Sequence, residues 1–297
     1  MLDLVAGNSV VRVRQAVAVV TDSAAALPAD LAAGAGIHVA HMEITISGIP
    51  YTHGPDSPNQ NFYSTLRESR HVPKTSAPTP EQWLETFRLA AAIGESIFCV
   101  TVAANLSASF DTANTAAAVA KESLPGVDIA VFDSKAAAGS QALIALEAAR
   151  VAARSNELTA VQSAAAAVGE RVRLVAYLDT LEYVWRSGRV PRIAVWASQV
   201  MNIKPVMEYS ATRIGAIARP RTRAAAFDRL LREARSDLAA QRAHVAVMHA
   251  DAPAEAQRLV EGVRSEFNCS ELFLTEFPLF MGAHTGPGLV GLAYWAE

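Results

Sequence analysis

The chain has 297 residues, 51% hydrophobic and 19% charged, enough for one large or two medium cores, and the composition excludes a disordered chain. A net charge of −3 gives nucleic acid no electrostatic footprint, and no uninterrupted apolar run reaches the length of a membrane span. Cys99 and Cys269 stand far apart in apolar surroundings, so buried core thiols are expected rather than a disulfide framework or a zinc site.

Residues 1–14 read as a short extension with a candidate strand at 10–13. They lack a basic start followed by an apolar block, so no secretory signal is expected and the cytoplasm is the default compartment. Residues 16–20 are an apolar run of strand length, closed by Thr21-Asp22-Ser23. Pro28 opens a helix that fades at Gly34 and Gly36. Residues 37–46 read as extended before a turn at Ser47-Gly48, and 59–68 read as helix. Prolines at 73, 78 and 80 keep the stretch from Lys74 to Pro80 out of a helix. It is expected as a stiff loop that presents the hydroxyls of Thr75 and Ser76 just upstream of an amphipathic helix over 81–93. Such a loop can offer hydroxyl and N–H donors to an anion. The plainer reading makes Thr79 an N-cap and the rest a turn.

Residues 96–102 form the next apolar run, followed by Asn105-Leu106-Ser107-Ala108-Ser109 and a helix to about 123. Residues 127–132 read as a buried strand ending in Asp133-Ser134, and 135–155 as a long Ala-rich helix. The rhythm of strand, polar strand end and helix predicts an α/β domain over 1–160, a parallel sheet in three layers. Ligands gather at the carboxyl ends of such strands, so the polar clusters at 21–23, 105–109 and 133–134 can share one site.

A helix is expected from 157 to about 169 and a strand over 173–178. Asp179 then reads as the cap of a helix carrying Leu181, Val184 and Trp185, terminated by Ser187-Gly188-Arg189. Residues 203–209 and 212–218 look like a hairpin. Helices at 222–240 and 253–266 alternate with strands at 244–249 and 272–275. The chain closes with a Gly/Pro-rich loop over 282–288 and an apolar strand to Trp295. This mixture predicts a second α/β domain, on a mixed sheet, over 161–297.

Most motifs fail their context. There is no G-x-x-x-x-G-K-[ST] and no G-x-S-x-G. Gly286 to Gly291 matches G-x-G-x-x-G in letters, but Pro287 sits inside it and too little chain follows for a dinucleotide fold. His38, His41 and His53, near Glu43, fit no metal-ligand spacing and are expected in surface or packing roles. Arg213, Arg219, Arg221, Arg223 and Arg229 read as a solvated face, or else as a docking surface for an acidic protein or a phosphate. His284 differs, because its Gly/Pro-rich loop lies between apolar segments and holds the ring in place. Its partner is either a backbone carbonyl or a ligand anion.

These pieces meet a known pattern. Thr21-Asp22-Ser23, Lys74-Thr75-Ser76-Ala77-Pro78, Leu106-Ser107-Ala108-Ser109, Asp133-Ser134, Ser187-Gly188-Arg189, Ile203-Lys204-Pro205 and His284-Thr285-Gly286-Pro287-Gly288 stand in one order. That order resembles the DegV family, and the resemblance runs from about Val17 to Leu292. Each motif alone is weak, while seven in order are specific. The resemblance implies two α/β domains with a long-chain fatty acid bound between them and no other cofactor. It implies that Thr75 and Ser107 hold the carboxylate with help from His284. Ser76, Thr285 and Gly286 are expected beside them. It also implies an ATP-binding fatty acid kinase subunit as partner, to which the acid is presented, with Arg189 supporting that step. The chain departs from the family at Ala77 and Ala108, where Gln and Gly are usual, and at Ser187, where Gly is usual. His53 stands where the family tends to place an acid.

The chemistry suits the residues. A carboxylate only accepts hydrogen bonds and is costly to bury unpaired. Hydroxyls satisfy it without a full positive charge, and an imidazole adds a stronger donor when protonated. The rival expectation is an enzyme, a hydrolase or transferase for a small acyl substrate, using Ser107 or Ser76 with His284. It needs a nucleophile–base hydrogen bond and an oxyanion hole.

Overall fold

Short uninterrupted apolar runs build the parallel strands of the first half of the chain. In a computed structural model, described over residues 15–51, 62–68, 73–188, 203–238 and 241–297, the elements run in this order. β1 (Gln15–Asp22), α1 (Ala29–Gly34), β2 (Ile37–Ala40), β3 (Glu43–Ile46), β4 (Ile49–Tyr51), α2 (Phe62–Glu68) and β5 (Lys74–Ser76) come first. α3 (Pro80–Ala91), β6 (Gly94–Thr101), α4 (Ser109–Ser123), β7 (Asp128–Asp133), α5 (Gly139–Ala152) and α6 (Leu158–Arg171) follow. The second half holds β8 (Arg173–Tyr177), α7 (Glu182–Ser187), β9 (Val206–Ser210), β10 (Ile214–Ala218) and α8 (Arg223–Leu238). β11 (Ala243–Ala250), α9 (Pro253–Glu266), β12 (Cys269–Glu276), α10 (Leu279–Thr285) and β13 (Leu289–Ala296) complete it.

The sheet β2-β1-β6-β7 is parallel throughout. The sheet β10-β9-β8-β13-β11-β12 is mixed, with only β11 and β12 parallel. A small antiparallel sheet, β4-β3-β5, stands beside them. The fold is thus α/β with a parallel and a mixed sheet, as the sequence predicts. Alternate residues of β1 serve different cores: Ala18 and Val20 face α3 and α4, whereas Val17 and Val19 face α5. β11 repeats the device, with Val245 and Val247 turned to α8 and α9 and Ala246 and Met248 to α5. α5 and α6 therefore lie between the sheets, and one continuous core joins both inner faces.

Several boundaries and caps differ from expectation for identifiable reasons. The helix expected from residue 135 begins at Gly139. Asp133 Oδ1 accepts the Lys135 N–H at 3.0 Å and Ser134 Oγ the Ala136 N–H at 3.1 Å, which turns the chain first. Lys135 and Ala138 hold positive φ, 50° and 52°. Asp179 does not cap α7. Its carboxylate takes Lys204 Nζ at 2.7 Å and Arg223 Nε at 2.9 Å, and Thr180 Oγ1 accepts the Glu182 N–H instead. Thr79 caps α3 in a reciprocal capping box with Gln82.

Cys99 is buried, but Cys269 is only half-buried at the start of β12, a correction to the pair of core thiols. The arginine run is largely spent within the chain: Arg223 pairs with Asp179 and Glu255, and Arg229 with Glu233. Among the described residues no helix is long and apolar enough to cross a membrane, and no three metal-binding side chains cluster. His53, Arg189 and the candidate strand at 10–13 lie outside the described residues.

Candidate ligand-binding site

Strand alternation places the first hydroxyl. Thr75 and Ser76 lie on β5, not on a loop, because Ile44 and Glu43 of β3 pair with them. Lys74 and Ser76 point to solvent and Thr75 turns inward. Ser107 sits in the loop after β6, where its Oγ accepts the Ser109 N–H at 3.2 Å at the start of α4. His284 is in the last turn of α10, not in the expected loop. The Gly/Pro-rich reading extended the loop too far toward the N-terminus: Leu279 and Phe280 bury themselves and carry the helix as far as Thr285.

α10 is held between two tyrosines. A Cβ on Gly282 would lie 2.3 Å from Tyr63 Oη, and one on Gly286 would lie 2.2 Å from Tyr183 Cδ2. The Tyr63 hydroxyl is buried and meets no hydrogen-bond partner among the described residues. Tyr63→Phe is therefore expected to leave the fold intact and raise its stability by about 1 kcal/mol, read as a shifted urea midpoint. An unchanged or lower midpoint would show that the hydroxyl has a partner.

The result is a contact across 209 residues of sequence: Thr75 Oγ1 and His284 Nε2 lie 3.1 Å apart. With the proton on Nε2, the ring donates to the Thr75 hydroxyl oxygen. Ser107 Oγ already accepts from Ser109, so its hydrogen is left for another acceptor.

These groups open on a cavity of about 610 Å³ between the two sheets. That volume falls in the range of about 300–1,000 Å³ usual for small-molecule sites. Its wall is mainly apolar, with Leu174, Ala176 and Met207 from the mixed sheet and Val102 and Ala138 from the other side. Thr75, Ser76, Ser107, His284 and Thr285 all line it. Gly286 does not; it lets the chain pass close to the Tyr183 ring at φ 79°.

The polar clusters at the strand ends converge: the one at 105–109 lines the cavity, and the carboxylates of the other two hold its loop. Asp22, fully buried, accepts four hydrogen bonds. Oδ1 takes the Ala24 N–H at 3.1 Å and Gln141 Nε2 at 2.9 Å, and Oδ2 takes the Val102 N–H at 3.0 Å and Ser109 Oγ at 2.5 Å. Asp133 Oδ1 accepts the Ala104 N–H at 3.1 Å. Both carboxylates thus fix the loop that carries Ser107. Sequence reasoning missed this scaffold and the mixed-sheet wall. The signal for the wall was the alternation of Leu174, Ala176 and Leu178, which marks one face of a strand.

Mainly apolar walls with a few hydroxyl and imidazole donors suit an amphiphile whose head accepts hydrogen bonds. A Ser–His hydrolase requires a different pairing. Here His284 Nε2 meets Thr75, and the serine in the cavity loop accepts the Ser109 N–H in a turn just before α4.

Comparison with known proteins gives a consistent picture. A family model described as "Uncharacterised protein, DegV family" matches residues 16–297. A DegV domain-containing protein of Streptomyces coelicolor is 31% identical over 283 residues, covering 93% of this chain and 97% of that protein. Among solved structures, one reporting fatty acid binding of a DegV family protein from Thermus thermophilus superposes with a TM-score of 0.85 at 24% identity, over 95% of this chain and 99% of that one. A DegV family protein from Eubacterium eligens, loaded with heptadecanoic acid, gives a TM-score of 0.83 at 18% identity, over 95% and 100%. The superpositions establish a shared two-sheet α/β fold.

Proposed function

The chain belongs to the DegV family, and on that premise we propose that it binds a long-chain fatty acid, with the carboxylate at Thr75, Ser107 and His284 and the tail in the cavity between the sheets. The observation that carries this reading is the meeting of the Thr75–His284 pair and Ser107 on one mainly apolar cavity. Roughly fifteen buried methylenes at about 0.8 kcal/mol each supply about 12 kcal/mol before ordering costs, on the scale of nanomolar binding. Donors alone then suffice for the head, since no full cation is needed to satisfy an acceptor.

The same reading includes presentation of the acid to an ATP-binding fatty acid kinase subunit. In support, Ser76 and Ala108 line the cavity and also face solvent, so the head-group end is open to a partner. The chain carries no phosphate-loop motif, so the nucleotide comes on the partner. Arg189 is the residue assigned to support the developing phosphoryl charge.

Native mass spectrometry of the purified protein, followed by extraction, tests the binding. A stoichiometric C14–C18 acid is expected. Thr75→Val or Ser107→Ala is expected to weaken it roughly 10- to 100-fold, as for a hydrogen bond to a charged group. A protein that arrives empty and takes up no added acid would sink the reading. ATP consumption on mixing the loaded protein with such a kinase subunit tests the second step, and no acid-dependent turnover removes it.

A further inference from the structure

The cavity has one wall from each half of the fold, and a second side-chain hydrogen bond, besides Thr75–His284, ties these walls at a solvent-facing point. Tyr209 Oη, on β9 of the mixed sheet, donates to Asn105 Oδ1, in the loop after β6, at 3.0 Å. Both residues line the cavity. Asn105 is exposed and Tyr209 half-buried. Ile214, which pairs with Tyr209 across β9 and β10, also lines the cavity and is 42% exposed. The cavity therefore reaches solvent where this contact is made.

The loop is otherwise anchored from its own sheet. Val102 N–H is held by Asp22, Ala104 N–H by Asp133 and Leu106 N–H by the Ala103 carbonyl. Tyr209 comes from the opposite wall, where it stands in register with Leu174 of β8. Burial pushes the Tyr209 phenol up to about 12, the Asn105 hydrogen bond offsetting part of this, so it remains a neutral donor. A solvent-facing hydrogen bond between neutral groups opens readily, because water replaces either partner. While it is closed, the two walls are joined across the rim at this point.

We infer that the Tyr209–Asn105 hydrogen bond is the latch of the portal through which the fatty acid enters and leaves, an inference that rests on the binding function proposed above. A latch governs rates more than affinity, since the same bond closes over the free and the filled cavity. Stopped-flow fluorescence with cis-parinaric acid, a long-chain polyene acid, reads both rates on the full chain. Tyr209→Phe keeps the ring and removes only the hydroxyl. It is expected to raise the association and dissociation rates together, by roughly 3- to 10-fold, the equivalent of one ordinary hydrogen bond, with Kd changed less than about twofold. Asn105→Ala is expected to do the same, and the double variant to be no faster than either single one, because all three lack the same bond.

Unchanged rates in both single variants would overturn the latch while leaving fatty acid binding in place. A weaker Kd with an unchanged association rate would overturn it too, making Tyr209 a ligand contact. A wild-type protein that takes up no cis-parinaric acid and no saturated acid removes the binding function and the latch with it.

Discussion

Asp22→Asn is expected to destabilise the fold by about 2–4 kcal/mol, because an amide nitrogen then faces two hydrogen-bond donors in a fully buried site. Each oxygen of Asp22 accepts two donors, so neither orientation of the amide avoids the clash. The cost falls on the join between β1, the Ser107 loop, α4 and α5. Fatty acid retention is therefore expected to fall along with stability. Urea unfolding of the two proteins checks the size, and a difference below about 1 kcal/mol would show that the four-donor cage is not what holds this join.

The same pair carries a pH signature. Burial pushes the Asp22 carboxyl above its ordinary value of 3.8, and the bonds from Ser109, Gln141, Val102 and Ala24 offset only part of the rise. A raised folded-state pKa means that the native protein holds a proton the unfolded chain releases. This contribution is fully present below the ordinary value and is lost as pH rises through the folded-state value. The Asn variant has no such proton. The stability gap between wild type and variant is thus expected to widen as the pH is lowered toward 3.8 and to narrow toward neutrality. A gap that narrows on acidification would reverse the sign of the shift.

Gly286→Ala is the second large effect, expected at about 2–5 kcal/mol from the left-handed backbone and a forced overlap together. Gly286 has φ 79°, and an added Cβ would lie 2.2 Å from Tyr183 Cδ2. The ring belongs to the packed core and α10 ends at this glycine, so α10 is the element that gives way. His284, two residues earlier, then loses its 3.1 Å contact with Thr75. Fatty acid affinity is expected to fall at least about tenfold, the equivalent of 1.4 kcal/mol. Adding Tyr183→Leu is expected to recover part of both losses, because it removes the overlap and leaves the φ penalty. Full recovery would assign the whole effect to the overlap, and no recovery would assign it to the backbone.

Much of the architecture was legible in the chain because it is written locally. Val17 to Val20 and Ile97 to Val100 are apolar runs of strand length, and each is followed by helical sequence after small polar residues. Pro253 to Glu266 was read to the residue, since a proline opens the helix and its apolar positions keep helical spacing. Apart from the late start of α5, which local turns at Asp133 and Ser134 explain, the errors fell where a tertiary partner overrode the local signal. Thr75 and Ser76 read as a loop because prolines surround them, yet β3 offers an edge and pairing with it makes a strand. His284 read as a loop because glycines surround it, yet Leu279 and Phe280 find an apolar slot and keep the helix going. Asp179 read as a cap because it precedes a helix, yet Lys204 and Arg223 outcompete the backbone N–H groups for its carboxylate.

What the sequence by itself determined is most of the elements, the two sheet types and the polar clusters at the ends of the parallel strands, because periodicity, prolines and polar strand ends act over a few residues. Only the tertiary structure decided that Thr75 meets His284 and that Ser107 faces the same cavity. It also decided that Asp22 is spent on holding the loop, whereas Tyr209 reaches across to Asn105. The reason is physical: each of these contacts joins segments about 80 to 209 residues apart. Their geometry depends on how the inner faces of two sheets close on α5 and α6, which no local pattern encodes.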